Sequence, residues 1–430
     1  MFSFAIHLSH ETSLGANPQP AHPRERGKPR LFPLGPAPVS SDKGRMTLRP
    51  LAAALIAVLL LAPAPPALAE DLTPVLAAAM AGTQVPAMAI LVIQDGKIAG
   101  QAVRGVRRND APDPARIGDV WHIGSDGKAM TATLIARLVD RGLLAWDTPL
   151  ERMLPELAAT MRPQYRQVTL LQLLSHHAGL PHDLIDIKAI EAFYADPRPL
   201  PAQRLAYLAL ALKDPPVAPP GTTYNYSNTG FILAAAIAER AAHAPYEDLM
   251  RREVFTPLGM TSVGFGLTHG DEPWGHYGGK PIRETADGKP IFVAPDGADG
   301  APLFFAPAGN IHLAIGDWAK FCLDQMAGVH GRGKLLKPAT YALMQTAQPG
   351  DVYGLGWGVQ PTLAGRRGPA LTHTGSDGDW YAVVVLFPGP QSGVLATANA
   401  GESMAGDKAA RAAARALLPT LSPPAPAAAK

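Results

Sequence analysis

A single cysteine, Cys322, occurs in the 430 residues of this chain, which excludes an intramolecular disulfide framework. It lies in "DWAKFCLDQM", a helical pattern where a thiol reads as a small buried apolar residue. Charge is sparse as well. Charged residues make up 17% of the chain against 47% hydrophobic, a balance that can bury a substantial core and does not read as disorder. Seven of the 38 Lys/Arg and three of the 36 Asp/Glu precede Glu70, so the remainder holds 31 and 33 and carries a formal charge of −2. No basic patch stands out there, and nucleic acid is not expected as a partner. No internal repeat is evident either.

The apolar run Leu51–Ala62 has 12 residues, short of the roughly 20 that a membrane-spanning helix needs. Its context is that of a secretory leader. Met46 and Arg49 precede the run, and Ala67-Leu68-Ala69 ends it in the small-x-small pattern of a cleavage site. Residues 46–69 are therefore expected to be a signal peptide, and the mature protein to be exported, periplasmic or secreted. That segment has no cysteine for a lipid, so no stable membrane anchor is expected after cleavage. Residues 1–45, rich in Pro, Arg and Ser, read as a disordered extension or an unused upstream start. Residues 70–418 read as one domain and 419–430 as a disordered tail.

Strand signals lie at the two ends of the body. "MAILVIQDGKIAGQAVRG" is two apolar runs around Asp95-Gly96, and "WYAVVVLFPGPQSGVLATANA" is two more around a Pro/Gly turn, followed by a helical pattern from Gly406 to Leu418. Between Ala129 and about Met326 the chain is mostly helical, with Pro/Gly loops. This predicts an α/β (α+β) fold, with an antiparallel sheet built from both termini, flanked by helices, and an inserted, mostly helical region. The site is expected at their junction. Gly266–Pro307, rich in Gly, Pro and Asp, is expected to be a long irregular loop that could line it.

The tetrapeptide GSDG occurs at 124–127 and at 375–378. Neither copy is a G-x-S-x-G elbow, because Ile123 and Thr374 stand where its first glycine would be. After Ser125, Met130, Leu134 and Leu138 recur at helical spacing, and Gly142 sits at the C-terminal cap. Ser125 is thus placed at a helix N-terminus with Lys128 one turn along the same face, where a desolvated amine could serve as its base. A capping serine followed by a surface lysine is the plainer alternative. The second copy follows "ALTHT" and precedes "DWYAVVVLF", so it reads as an edge-strand turn. Its serine has no visible base, but its backbone could present an N–H to a substrate carbonyl. A third element, Tyr226-Ser227-Asn228, precedes another helical pattern. There Asn228 could simply cap the helix and Tyr226 could be core.

Ser125-x-x-Lys128, Tyr226-x-Asn228 and His373-Thr374-Gly375, in that order, resemble the three motifs of serine β-lactamases and penicillin-binding proteins. The tyrosine in the second motif points to the class C β-lactamase branch, which includes D-alanyl-D-alanine carboxypeptidases, D-aminopeptidases and esterases. "VTLLQLLSHHAGLP", "PPGTTYNYSN", "FTPLGMTSVGFG" and "PAGNIHLAIGDWAKF" extend the similarity over about Val85–Gly401. The resemblance implies a β-lactamase/transpeptidase-like fold and an acyl-enzyme serine hydrolase needing no cofactor. Ser125 would be the nucleophile, and Lys128 and Tyr226 would share general base and acid duties. Asn228 would bond the lysine and the substrate amide, while His373, Thr374, Gly375 and Ser376 would hold substrate. The backbone N–H groups of Ser125 and Ser376 would form the oxyanion hole. The substrate would be a small molecule or a peptidoglycan peptide (a β-lactam, D-amino peptide or carboxylic ester), and the protein would be a monomer.

Histidine at 373 departs from the lysine of many β-lactamases. With an unperturbed pKa of about 6.5 it would bind a carboxylate weakly, which argues against an efficient β-lactamase. Asp126-Gly127 is also unusual inside the first motif. His176, His177 and His182, beside Asp183, are the residues a rival metal-dependent hydrolase would use. They lack H-x-x-x-H or H-x-H-x-D spacing, so no metal is expected. A penicillin-binding sensor or inactive relative is the non-enzymatic alternative. Trp274, His276 and Tyr277 could line an acyl pocket or equally anchor a loop, and Asp317 and Trp318 are expected at a helix start and its core contact.

Overall fold

Asp95 and Gly96 both have positive φ, at 50° and 73°, the backbone that a two-residue hairpin turn demands. They join β1 (Ala87–Gln94) to β2 (Lys97–Gly105). The computed structural model describes residues 71–268, 270–282 and 302–421. The expected leader and the extension before it, along with the end of the expected tail, lie outside the described residues.

Six strands form the main antiparallel sheet, in the order β2, β1, β11 (Ser392–Ala398), β10 (Tyr381–Phe387), β9 (Arg366–Ser376) and β8 (Gly358–Leu363). The first and last parts of the domain thus meet at its centre, where β1 pairs with β11 from Met88↔Ala398 to Ile93↔Gly393. Both faces of the central strands are covered. Along β1, Ala87, Ala89, Leu91 and Ile93 point into the larger core, while Met88, Ile90 and Val92 point into a smaller one. Such strands read as continuous apolar runs, which is how they appear in the sequence.

The smaller core is closed by α1 (Thr73–Met80) and by the last long helix, Gly406–Leu417, whose Ala409, Ala410, Ala413 and Ala414 let its backbone lie close to the sheet. On the other face stand α2 (Gly127–Asp140), α3 (Leu200–Ala211), α4 (Asn228–Ala242) and α5 (Ile315–Gly328). Helix α2 is buried from Gly127 through Ala136, as a helix packed on all sides must be. It ends at Asp140, with Gly142 at φ 76° beyond its cap. Cys322 is fully buried in α5. Asp317 lies in the first turn of that helix, accepts from the Thr261 and Ser262 backbone amides at 2.7 Å, and precedes the buried Trp318.

A small sheet, β3 (Val120–His122), β7 (Ile311–Ala314) and β4 (Gly264–Phe265), delivers the chain to the start of α2. The expected irregular stretch from Gly266 to Pro307 contains a hairpin of β5 (Gly275–Tyr277) and β6 (Lys280–Ile282), and 269 and 283–301 lie outside the described residues. Of Trp274, His276 and Tyr277, the first two act as anchors. The buried His276 ring bonds the Asn399 carbonyl at 2.7 Å and accepts from the Asn109 backbone at 3.2 Å. Trp274 packs under the Arg108 guanidinium, 4.0 Å from its centroid. Among the described residues no helix is long and apolar enough to cross a membrane.

Candidate active site

Three chain segments converge between the sheet and the helices. Ser125 sits in a single 3-10 turn, Gly124–Asp126, that feeds directly into α2, so Lys128 follows it by one helical turn. Lys128 is fully buried, whereas Ser125 is partly accessible. A reagent from solvent would therefore meet the hydroxyl before the amine.

Lys128 Nζ makes three polar contacts: Ser125 Oγ at 3.0 Å, Asn228 Oδ1 at 2.7 Å, and the Ala308 carbonyl. The Asn228 amide is oriented in turn, since its Nδ2 donates to Asp183 Oδ2 at 3.2 Å. Two of the three lysine contacts are obligate acceptors. A neutral amine would give its two N–H bonds to them and keep its lone pair for the Ser125 O–H. Burial favours that state, lowering the lysine pKa to about 7, with the carboxylates of Asp183 and Asp126 opposing the shift.

The second motif enters at the start of α4. Ser227, not Asn228, is the cap: its Oγ accepts from Gly230 N at 3.4 Å, leaving Asn228 as the first helical residue with its side chain turned to the lysine. The sequence alternative in which Asn228 caps this helix is therefore corrected. The Tyr226 ring lies 4.7 Å from Lys128 Nζ. Its hydroxyl is buried without a hydrogen-bond partner, and burial holds it well above the usual phenol range despite the nearby Ser125 hydroxyl. At neutral pH Tyr226 is a proton donor in waiting; Lys128 is the group that can be basic.

The third motif requires a correction to the expected topology. Strand β9 is not an edge strand, because β8 flanks it, but β8 starts at Gly358 opposite Thr372. His373, Thr374, Gly375 and Ser376 run past that start and pair only with β10, from Val384 to Tyr381. The four residues form a local edge on an internal strand. The Ser376 hydroxyl is committed to the turn, donating to the Trp380 carbonyl at 2.8 Å and accepting from Gly378 N at 3.0 Å. This leaves only the backbone of Ser376 to offer a ligand.

The two GSDG segments touch through their glycines. A Cβ on Gly375 would lie 1.9 Å from Ile123 O and 2.7 Å from Ser125 N, and one on Gly124 would lie 2.3 Å from Ser376 N. Only glycines allow so close a backbone approach.

His373 is nearly buried. Its Nδ1 donates to Thr374 O at 2.9 Å and lies 3.4 Å from Asp126 Oδ1, while its Nε2 contacts Tyr353 Oη at 3.0 Å. Burial raises the Asp126 pKa, with His373 opposing. Tyr353 and the pairing of Asp126 with His373 have no local sequence signal.

The three histidines near the second motif diverge. His176 is buried at φ 63°, accepts from Ser227 N at 3.0 Å, and packs its ring, tilted by 32°, 4.3 Å from that of Tyr226. Desolvation holds its pKa well below the ordinary value, so it is a neutral wedge that sets the tyrosine ring. His177 faces Asp351 at 3.6 Å, and His182 faces Asp183 at 2.5 Å.

Comparison with known proteins bears on family and fold. Penicillin-binding protein 4 of Amycolatopsis lactamdurans is 28% identical over 329 residues, 73% of this chain and 80% of its own length. The D-alanyl-D-alanine-carboxypeptidase/endopeptidase AmpH of Escherichia coli K12 is 25% identical over 322 residues, 71% of this chain and 77% of its own. The octameric penicillin-binding protein homologue from Pyrococcus abyssi superposes with a TM-score of 0.64 at 24% identity, over 82% of this chain and 77% of that one, a likeness of fold. The Beta-lactamase family model matches residues 72–418. The chain belongs to the Beta-lactamase family of hydrolases, with the β-lactamase/transpeptidase-like fold.

Proposed function

We propose that this protein is an exported serine hydrolase that turns over an amide or ester through an acyl-enzyme on Ser125. The observation that carries the reading is the buried lysine amine 3.0 Å from the serine hydroxyl, with its pKa brought to about 7. Neutral Lys128 takes the Ser125 proton as Oγ bonds to the substrate carbonyl carbon. The N–H groups of Ser125 and Ser376 receive the developing oxyanion; a single such donor is typically worth about a hundredfold or more in turnover. The proton passes to the leaving group, with the Tyr226 hydroxyl as relay. Water then attacks the acyl carbon, giving up a proton to the same base, and releases the acid and free Ser125. Asn228 holds the lysine and meets the substrate amide, while His373, Thr374 and Gly375 form the strand along which the substrate lies. The chemistry uses no cofactor.

The pairing of His373 with Asp126 favours peptide and ester donors over β-lactam hydrolysis. His373 is turned to the Asp126 carboxyl, 3.4 Å away, rather than left free to face a substrate carboxylate. Export is supported by the leader pattern at 46–69, and the protein acts as a monomer on a small molecule or peptidoglycan peptide. Intact-mass measurement after brief incubation with a penicillin, beside Ser125→Ala, tests the nucleophile. A drug-sized gain on the wild type alone is expected for a penicillin-recognising peptidase. No gain directs the next assay to esters and D-amino peptides, and an equal gain on Ser125→Ala would refute the assignment.

A further inference from the structure

The GSDG repeat is longer than four residues. His122-Ile123-Gly124-Ser125-Asp126-Gly127 and His373-Thr374-Gly375-Ser376-Asp377-Gly378 share the pattern His-x-Gly-Ser-Asp-Gly. In the folded chain each histidine faces the aspartate of the other copy. His122 Nδ1 lies 3.0 Å from Asp377 Oδ2, with side chains 1% and 6% exposed. His373 Nδ1 lies 3.4 Å from Asp126 Oδ1, with side chains 5% and 0% exposed.

Both pairs are braced from outside. His122 Nε2 contacts Asn310 Oδ1 at 3.0 Å, and Asp377 Oδ1 accepts from Asp379 N and Trp380 N at 3.1 Å. His373 is held by Tyr353 Oη and the Thr374 carbonyl. Among the described residues neither oxygen of the buried Asp126 has a hydrogen-bond partner, and His373 is the side chain that faces it, at 3.4 Å. His122 Nδ1 also accepts from Gly124 N at 3.3 Å, which ties that ring to the first copy's own backbone. Buried polar contacts of this kind seldom add net stability, because desolvation offsets their attraction. What they do supply is a defined geometry.

The glycine contact brings the Ser125 amide against Gly375 and the Ser376 amide against Gly124. Each aspartate directly follows one of those serines, so fixing its side chain anchors the serine from its C-terminal side, one residue from the N–H it would donate. We propose that the crossed pairs His122–Asp377 and His373–Asp126 form a clamp that positions the two backbone N–H donors of the oxyanion hole, with Asp126 and Asp377 as positioning residues. The proposal rests on Ser125 being the nucleophile, as argued above.

A fluorophosphonate probe tests it without knowledge of the substrate, since its phosphoryl oxygen requires the same donors when Ser125 displaces fluoride. The full chain, Asp126→Asn, Asp377→Asn, the double variant His122→Gln/Asp377→Asn, and Ser125→Ala are compared. The readouts are the limiting labelling rate, the half-saturating probe concentration and the urea midpoint. Each single aspartate variant is expected to slow limiting labelling at least tenfold, with half-saturation within threefold and the midpoint near wild type. The double variant, which leaves no charge unpaired at that site, is expected to be no slower than Asp377→Asn alone, because the pair acts as a unit. It also supplies the reading if a single variant fails to fold. Wild-type labelling rates in the aspartate variants, or rates that fall only as the urea midpoint falls, overturn the clamp while Ser125 stands. Labelling of Ser125→Ala at the wild-type rate overturns the nucleophile and the clamp together.

Discussion

Replacing Lys128 with methionine removes a titratable amine from a fully buried position and should reshape how stability depends on pH. In the folded protein the amine titrates at about 7 against an ordinary 10.5. The unfolded chain therefore binds a proton that the native state releases between those values. Stability lost to this group is greatest below pH 7 and is recovered as pH rises towards 10.5. From the two values, the penalty is roughly 4 kcal/mol at pH 7 and about 2 kcal/mol at pH 9. Wild type should therefore gain about 2 kcal/mol between those pH values relative to Lys128→Met, whatever the other titrating groups contribute, since those cancel in the difference. Methionine also leaves the Asn228 and Ala308 oxygens without their donor, a cost of roughly 1–3 kcal/mol each that shifts the variant's curve without tilting it. Urea unfolding of both proteins at pH 7 and pH 9 measures the difference. Parallel stability curves would refute a neutral lysine. The same titration should appear in turnover, with the wild-type rate rising as pH passes upward through about 7, because only the unprotonated amine can accept the serine proton.

Other positions make further demands. Gly375→Ala should reduce turnover roughly a hundredfold or more while the circular dichroism spectrum keeps its native form, because the new methyl would collide with Ile123 O and displace Ser125 N; a fully active variant would contradict the close crossing. Arg204, fully buried between Glu239 and Glu247 and bonded to Phe304 O at 3.1 Å, should cost roughly 3–5 kcal/mol as Arg204→Met. The triple variant Arg204→Met/Glu239→Gln/Glu247→Gln should regain much of that in urea unfolding, since no carboxylate is then left without its cation. A triple variant as unstable as the single one would count against that explanation.

What the sequence determined by itself is whatever neighbouring residues decide among themselves. Asp95-Gly96 could only be a tight turn between apolar runs. Ser125 and Lys128, three apart at a helix start, had to share a face, and Tyr226-x-Asn228 reached the site as one short unit. Long-range pairing was a different matter. The Asn228 side chain is directed at the lysine because Ser227 takes the capping bond, a choice settled by how α4 docks. His373 looked like a weak cation facing substrate; the fold turns it to Asp126, and His122 to Asp377. Both copies of the six-residue pattern were visible in the chain, yet nothing local says that each histidine serves the other copy's aspartate. The local edge at 373–376 likewise depends on where β8 begins, opposite Thr372. Backbone propensity acts over a few residues, whereas these contacts join segments from opposite ends of the domain, and only the closure of one sheet from both termini brings them together.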